Sequence, residues 1–242
     1  MSESQMPEPF DVNKLAAEVF IAATERAVRS VAIPVQTTLR RILHGLADAY
    51  SPYVQHTFQR VKSIRTFLKP NEPVDLLDSY VSALLSDGKQ NVYPEVLLQE
   101  LKDNDRIIIS GLAGRGKSVL MRYLAVSLYH TPKGKIPIFI ELRSLNSLTS
   151  PDILQYIHAQ YKGVSNIQYS DFLEALHKGY FIFLFDGFDE INPELRSDIE
   201  KEIIDISAIY QKCPLIITGR PDDRFSSWEQ FKMYHVCPMS YE

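Results

Sequence analysis

Apolar positions follow two rhythms along the chain, and the change falls near residue 103. Upstream the spacing is helical: Val12, Leu15, Ala16, Val19, Phe20 and Ala23 recur at intervals of three and four. Pro34 marks a kink or boundary. Val35, Leu39, Ile42, Leu43 and Leu46 then continue the stripe until Ser51-Pro52. A third amphipathic run carries Val54, Phe58, Val61, Ile64 and Leu68 and ends before Lys69-Pro70. Pro70 and Pro73 predict a turn or extended link, and Leu76 to Leu85 predicts one more short helix.

From Asp105 onward short β-rich runs alternate with helical ones. Arg106–Ser110, Ile136–Ile140, Tyr180–Phe185 and Leu215–Thr218 read as strands, and Met233–Val236 as a fifth. Pro137 places the second of these at a strand start or sheet edge. Helical stretches fall at Ser118–Tyr129, Asp152–Tyr161, Asp171–His177 and from Pro193 to about Tyr210. The run ending at Phe185 is almost wholly apolar, as a parallel strand buried on both faces should be. Such alternation predicts an α/β fold, a parallel sheet flanked by helices with right-handed crossovers. The expected organisation is a helical N-terminal domain with a lead-in segment over residues 1–100, then an α/β domain over 101–242.

Composition changes this picture little. The 242 residues, 45% apolar and 23% charged, belong to an ordinary globular chain of one or two domains. A net charge of −4 gives no global reason to expect nucleic acid or an anionic membrane as partner. The acidic N-terminus does not read as a signal peptide, and Leu15–Ile33 carries Glu18, Glu25, Arg26 and Arg29, so no membrane span is expected. The two cysteines, Cys213 and Cys237, lack metal-ligand spacing and fit a reducing, cytoplasmic setting. A basic stripe between Arg26 and Lys69 holds eight cations and one acid, the pattern of a solvated bundle face or of an anionic-partner surface. Trp228, Phe225 and Phe231 read as packing residues, and the six histidines are scattered.

The chemistry is concentrated in three segments. Gly111-Leu112-Ala113-Gly114-Arg115-Gly116-Lys117-Ser118 fits the phosphate-binding loop G-x-x-x-x-G-K-[ST], between an apolar strand and a helix as that motif requires. Glycines let successive N–H groups turn inward toward phosphate oxygens, and the helix that follows adds its positive end. Gly111, Gly114, Arg115, Gly116, Lys117, Ser118 and Val119 are the candidate nucleotide-binding residues, with Ser118 also a Mg²⁺ ligand. Next, the strand Phe181–Phe185 runs into Asp186-Gly187-Phe188-Asp189-Glu190. Asp186 is placed to support Mg²⁺, and Asp189 or Glu190 to orient or deprotonate water. Third, Leu215-Ile216-Ile217-Thr218-Gly219-Arg220-Pro221 ends a strand in an arginine that can sense a γ-phosphate with its planar fork. Alone, the acidic run also reads as a solvated loop capping the next helix, and Arg220 as an ordinary surface arginine. The phosphate loop upstream and the place one strand after the acidic run favour the catalytic and sensor readings.

Together the three segments resemble the NACHT family of STAND signalling NTPases, bacterial-type and NLR-related. The glycine directly after Asp186, with the acidic pair two residues on, looks like that family's own variant. Ile138–Arg143 is similar to its second-strand segment, and Val61–Thr66 and Pro73–Val81 to the lead-in of bacterial-type members. The resemblance covers about residues 53–242 and implies a core strand order of 5-1-4-3-2. It implies ATP or dATP binding with Mg²⁺, slow regulatory hydrolysis and an ADP resting state. It further implies self-oligomerisation triggered through a sensor, often in anti-phage defence. Val236–Glu242 looks like the start of the family's lid, which implies a chain cut after the nucleotide-binding core. Rival readings are a small-molecule kinase or ordinary ATPase, and a scaffold that binds nucleotide without cleaving it.

Overall fold

The protein's structure, a computed structural model, describes residues 53, 56–66, 69–130, 135–150, 152–162 and 167–238. The helices expected over Val12–Ala23 and Val35–Leu46, and most of the basic stripe, lie outside the described residues. In chain order the strands are β1 (Ser63–Thr66), β2 (Lys69–Asp75), β3 (Leu85–Ser86), β4 (Asn91–Val92), β5 (Arg106–Ser110), β6 (Ile136–Glu141), β7 (Phe181–Asp186), β8 (Leu215–Gly219) and β9 (Lys232–Val236). The helices are α1 (Leu76–Ser79), α2 (Pro94–Glu100), α3 (Lys117–His130), α4 (Ile153–Lys162), α5 (Tyr169–Lys178) and α6 (Pro193–Ile209), with a further helical stretch over 56–62.

Strands β5, β7 and β8 are buried at every residue, which explains their nearly unbroken apolar sequences. They form the middle of a seven-stranded sheet of order β4-β3-β9-β5-β8-β7-β6. Counted from the strand before the glycine loop, the parallel part runs 5-1-4-3-2, as the family resemblance implies. Pro137 lies on β6, at the sheet's edge among the described residues, where a missing N–H costs least. Helix α3 packs across β6, β7 and β8 and buries Leu120, Met121, Leu124, Ala125 and Leu128. Ile153, Ile157, Phe172, Leu176, Ile199 and Ile203 of the later helices join the same core.

Two expected elements differ. The amphipathic run from Val54 is not one helix: helix ends at residue 62, and Ser63–Thr66 pairs antiparallel with Lys69–Asp75. The β-branched Ile64 and Thr66 favour the extended chain, and Pro70 and Pro73 sit in a two-stranded ribbon that tolerates missing donors. Nor does Leu76 to Leu85 form a single helix. Asp75 caps a helix of only four residues by accepting from Leu77 N at 2.9 Å. Leu85, fully buried, is drawn instead into the sheet opposite Val236 and Val92. The turn joining β3 to β4 closes where Asp87 Oδ1 accepts from Lys89 N and Gln90 N, both at 2.8 Å.

A carboxylate fixes the approach of α6 to α4. Glu202 Oε1 accepts from Ile153 N at 2.5 Å, at the start of α4. Burial pushes the Glu202 carboxyl up to about 7, helped by Asp152 and Asp205 and opposed by the bonds from Ile153 and Leu154. The neutral form is thus favoured in the fold, while the unfolded chain ionises near the ordinary 4.5. This contribution to stability is complete below about pH 4.5 and is lost as pH rises through about 7. Glu202→Gln keeps the acceptor without the charge. It should raise the melting temperature by roughly 2–4 °C near pH 8, after discounting for partial exposure, and leave it unchanged near pH 4.5. Paired thermal melts at the two pH values check this.

Candidate functional site

The carboxyl ends of β5, β7 and β8 open into one cleft, the usual ligand position in a parallel α/β sheet. Gly114, Arg115, Gly116, Lys117, Ser118, Val119, Asp186, Asp189, Glu190 and Arg220 all line it, so ten residues from three separate segments converge. Gly111 lies beneath them. Its N–H donates to Gly219 O at 3.2 Å, and a Cβ there would stand 3.3 Å from Val236 Cβ, so its part is to let β9 approach.

Gly114 and Gly116 take φ of +75° and +79°, left-handed values that suit glycine, and a Cβ at either would stand in open space. Lys117 Nζ folds back on the loop, donating to Gly111 O at 2.7 Å and Leu112 O at 3.1 Å. Among the described residues it has no carboxylate partner within ion-pair distance, so its charge is available to an anion. Helix α3 begins at this lysine, and its amino end faces the loop.

Asp186 ends β7 and is aimed by its neighbour strand. Thr218 Oγ1, fully buried at the end of β8, donates to Asp186 Oδ1 at 2.5 Å and accepts from Gly187 N at 2.9 Å. Burial pushes the Asp186 carboxyl up, while hydrogen bonds from Thr218 and Ser118 pull it down. A buried carboxylate joined to the Ser118 hydroxyl is a hard oxygen donor set, which suits Mg²⁺. No group of three His, Cys, Asp or Glu able to hold a metal occurs among the described residues. A divalent ion here would therefore lean on phosphate oxygens and water as well as protein.

The acidic turn is held from three sides. Gly187 at φ +81° starts the tight turn Phe188–Glu190. Phe188 is fully buried against Phe225 and Trp228, with ring centroids 5.4 and 5.5 Å away. Trp228 and Phe225 are packing residues, as expected. Arg196 of α6 donates to Asp189 O at 3.2 Å and Ile191 O at 2.8 Å. Asn146, in the turn after β6, donates to Glu190 O at 2.9 Å and accepts from Asn192 N at 2.8 Å.

This frame gives the two acids different surroundings. Asp189 has both oxygens engaged by Arg220: Oδ1 accepts from the backbone N at 3.1 Å, and Oδ2 lies 2.8 Å from Nε. Among the described residues, the Glu190 carboxylate carries only a longer contact, 3.7 Å from Oε2 to Arg143. Arg143 is itself held at 2.9 Å by Glu141, whose other oxygen meets Arg122 of α3 at 2.7 Å. The sequence assigns no role to Asn146, Arg143 or Arg196, whereas Thr218 ends a strand beside Arg220, where a γ-phosphate would lie. Thr218 and Arg143 do stand in the segments that carry the family resemblance; Asn146 and Arg196 lack such a signal.

A glycine loop at the head of a helix, a buried acid on the next strand but one and an arginine on the strand between define a phosphate-loop NTPase module. The NACHT domain family model matches residues 105–242, and the chain belongs to that family. Nucleotide binding follows from that membership. No curated protein matches the chain. Among the described residues no helix is long and apolar enough to cross a membrane.

Proposed function

We infer that the chain is an ATP- and ADP-binding switch module that hydrolyses ATP slowly with Mg²⁺. The observation that carries this is the convergence of the glycine loop, the Asp186–Thr218 pair and the Asp189–Arg220 pair on one cleft. Lys117 and the loop amides bind phosphate charge. Ser118 and Asp186 would hold Mg²⁺, which when bound neutralises phosphate charge and leaves the phosphorus more open to attack. Glu190, whose carboxylate meets Arg143 only at 3.7 Å, orients and deprotonates water. Arg220 reads the γ-phosphate.

Family membership supports the wider part of the reading: a STAND-type signalling role in the cytoplasm, self-association on a sensor signal and a place in anti-phage defence. The acids separate the steps. Asp186→Ala should weaken Mg²⁺-dependent ATP binding, whereas Glu190→Gln should keep ATP bound and slow its cleavage by roughly 10²–10⁴-fold. Titration calorimetry beside single-turnover hydrolysis measures both. Cleavage that survives Glu190→Gln and stops in Asp189→Asn would move the water-handling role to Asp189.

A further inference from the structure

We propose that Asp189 determines how strongly the site prefers ATP to ADP, by holding Arg220 away from the terminal phosphate until that phosphate competes for it. This rests on the nucleotide-site reading above and adds a specificity role that hydrolysis does not require. The contact is two-pronged: Asp189 Oδ2 meets Arg220 Nε at 2.8 Å, and Oδ1 accepts from the Arg220 backbone N at 3.1 Å. Arg220 thus engages both Asp189 oxygens, which separates Asp189 from Glu190 beside it.

The two partners differ in freedom. The Asp189 side chain is 20% exposed, and its turn is fixed by buried Phe188 and by Arg196 on its own carbonyl. The Arg220 side chain is 61% exposed, so the arginine is the half that can swing. Both residues line the cleft with Lys117 and Ser118. A nucleoside triphosphate offers Arg220 a third phosphate in exchange for Asp189; a diphosphate offers nothing there. Breaking the pair is therefore a cost charged to ATP alone. Exposed ion pairs of this kind correspond to a factor of up to about five in an equilibrium constant.

The test uses the whole chain, with Mg·ATP and Mg·ADP titrated separately by calorimetry on a timescale short against turnover. Asp189→Asn is nearly isosteric and keeps an oxygen for the Arg220 N–H, so it removes the charged arm only. ATP affinity should rise about three- to fivefold while ADP affinity stays within twofold. Arg220→Gln should lower ATP affinity and spare ADP, and adding Asp189→Asn to it should bring no further gain. An unchanged or lower ATP affinity in Asp189→Asn overturns the proposal, as does an equal gain for both nucleotides or a gain that persists without Arg220. If the unmodified protein binds neither nucleotide, the site reading itself fails. If it binds both and the ratio does not move, Asp189 alone has been misassigned.

Discussion

Lys117→Ala is expected to lower nucleotide affinity at least a hundredfold while leaving the fold intact. The ammonium now bonds to two carbonyls of its own loop, Gly111 O at 2.7 Å and Leu112 O at 3.1 Å, and it is not buried. Those carbonyls can be satisfied by water once the lysine is gone, so the stability change should stay within about 0.5 kcal/mol. Binding is different, because phosphate charge replaces the loop carbonyls as partner. A charge-assisted bond contributes about 1.5–3 kcal/mol, and one reaching two phosphates contributes more. The loss of two such bonds is about 3 kcal/mol or more, which at 1.4 kcal/mol per tenfold exceeds a hundredfold. Calorimetric titration with Mg·ATP beside a thermal melt measures both halves. Near-native affinity in a folded variant would remove the phosphate-loop assignment.

The parts of this fold that were legible are those whose signal is local. Phe181–Asp186 is buried on both faces, so its sequence had to be apolar throughout, and the glycine loop must lie within eight consecutive residues to wrap a phosphate. The β3–β4 hairpin has strands of two residues each, too short for any periodicity to register, and its one local mark was Asp87-Gly88. Residues that orient the site were harder, because their partners are distant in sequence. Thr218 reaches Asp186 across 32 positions and Asn146 reaches Glu190 across 44, and no local pattern names either partner, even for Thr218 within a recognised segment. The Asp189–Arg220 pair shows the same limit. Both residues were picked out, but that each occupies the other follows only once β7 and β8 lie side by side.

Arg106 carries the largest expected effect on stability, and its sequence position gives no warning of it. It reads as the polar first residue of a strand, yet it is 3% exposed, and among the described residues it forms no ion pair. Its guanidinium donates five bonds to four carbonyls: Ser207 O at 3.2 and 2.8 Å, Tyr210 O at 3.3 Å, Cys213 O at 3.0 Å and Asp105 O at 2.9 Å. Helix α6 ends at Ile209, where the last carbonyls have no intrahelical partner, and Arg106 supplies a cap from another strand. Its charge also suits the negative end of the helix. Burial lowers the arginine's pKa from its ordinary value, opposed by the nearby Cys213 and Asp105. Substitution by Met keeps most of the apolar stem. Asp105 O keeps Leu215 N at 3.0 Å and Tyr210 O keeps Cys213 N at 2.9 Å, so Ser207 O and Cys213 O are the carbonyls that lose their donor. At about 1–3 kcal/mol for each of these two groups, and with partial relief by water, the net loss should be about 2–4 kcal/mol. Against a typical total of 5–15 kcal/mol, that is enough to unfold a marginal domain. Arg106→Lys should cost roughly half as much, because it retains the charge but has too few donors to span all four acceptors. Urea unfolding measures this as a fall in midpoint of about 1–1.5 M for Arg106→Met with an unchanged slope. A midpoint within about 0.3 M of the unmodified chain would show that the carbonyls find other partners. In that case α6 would be held by its apolar face, Ile199, Ile203 and Ile206, without the cap.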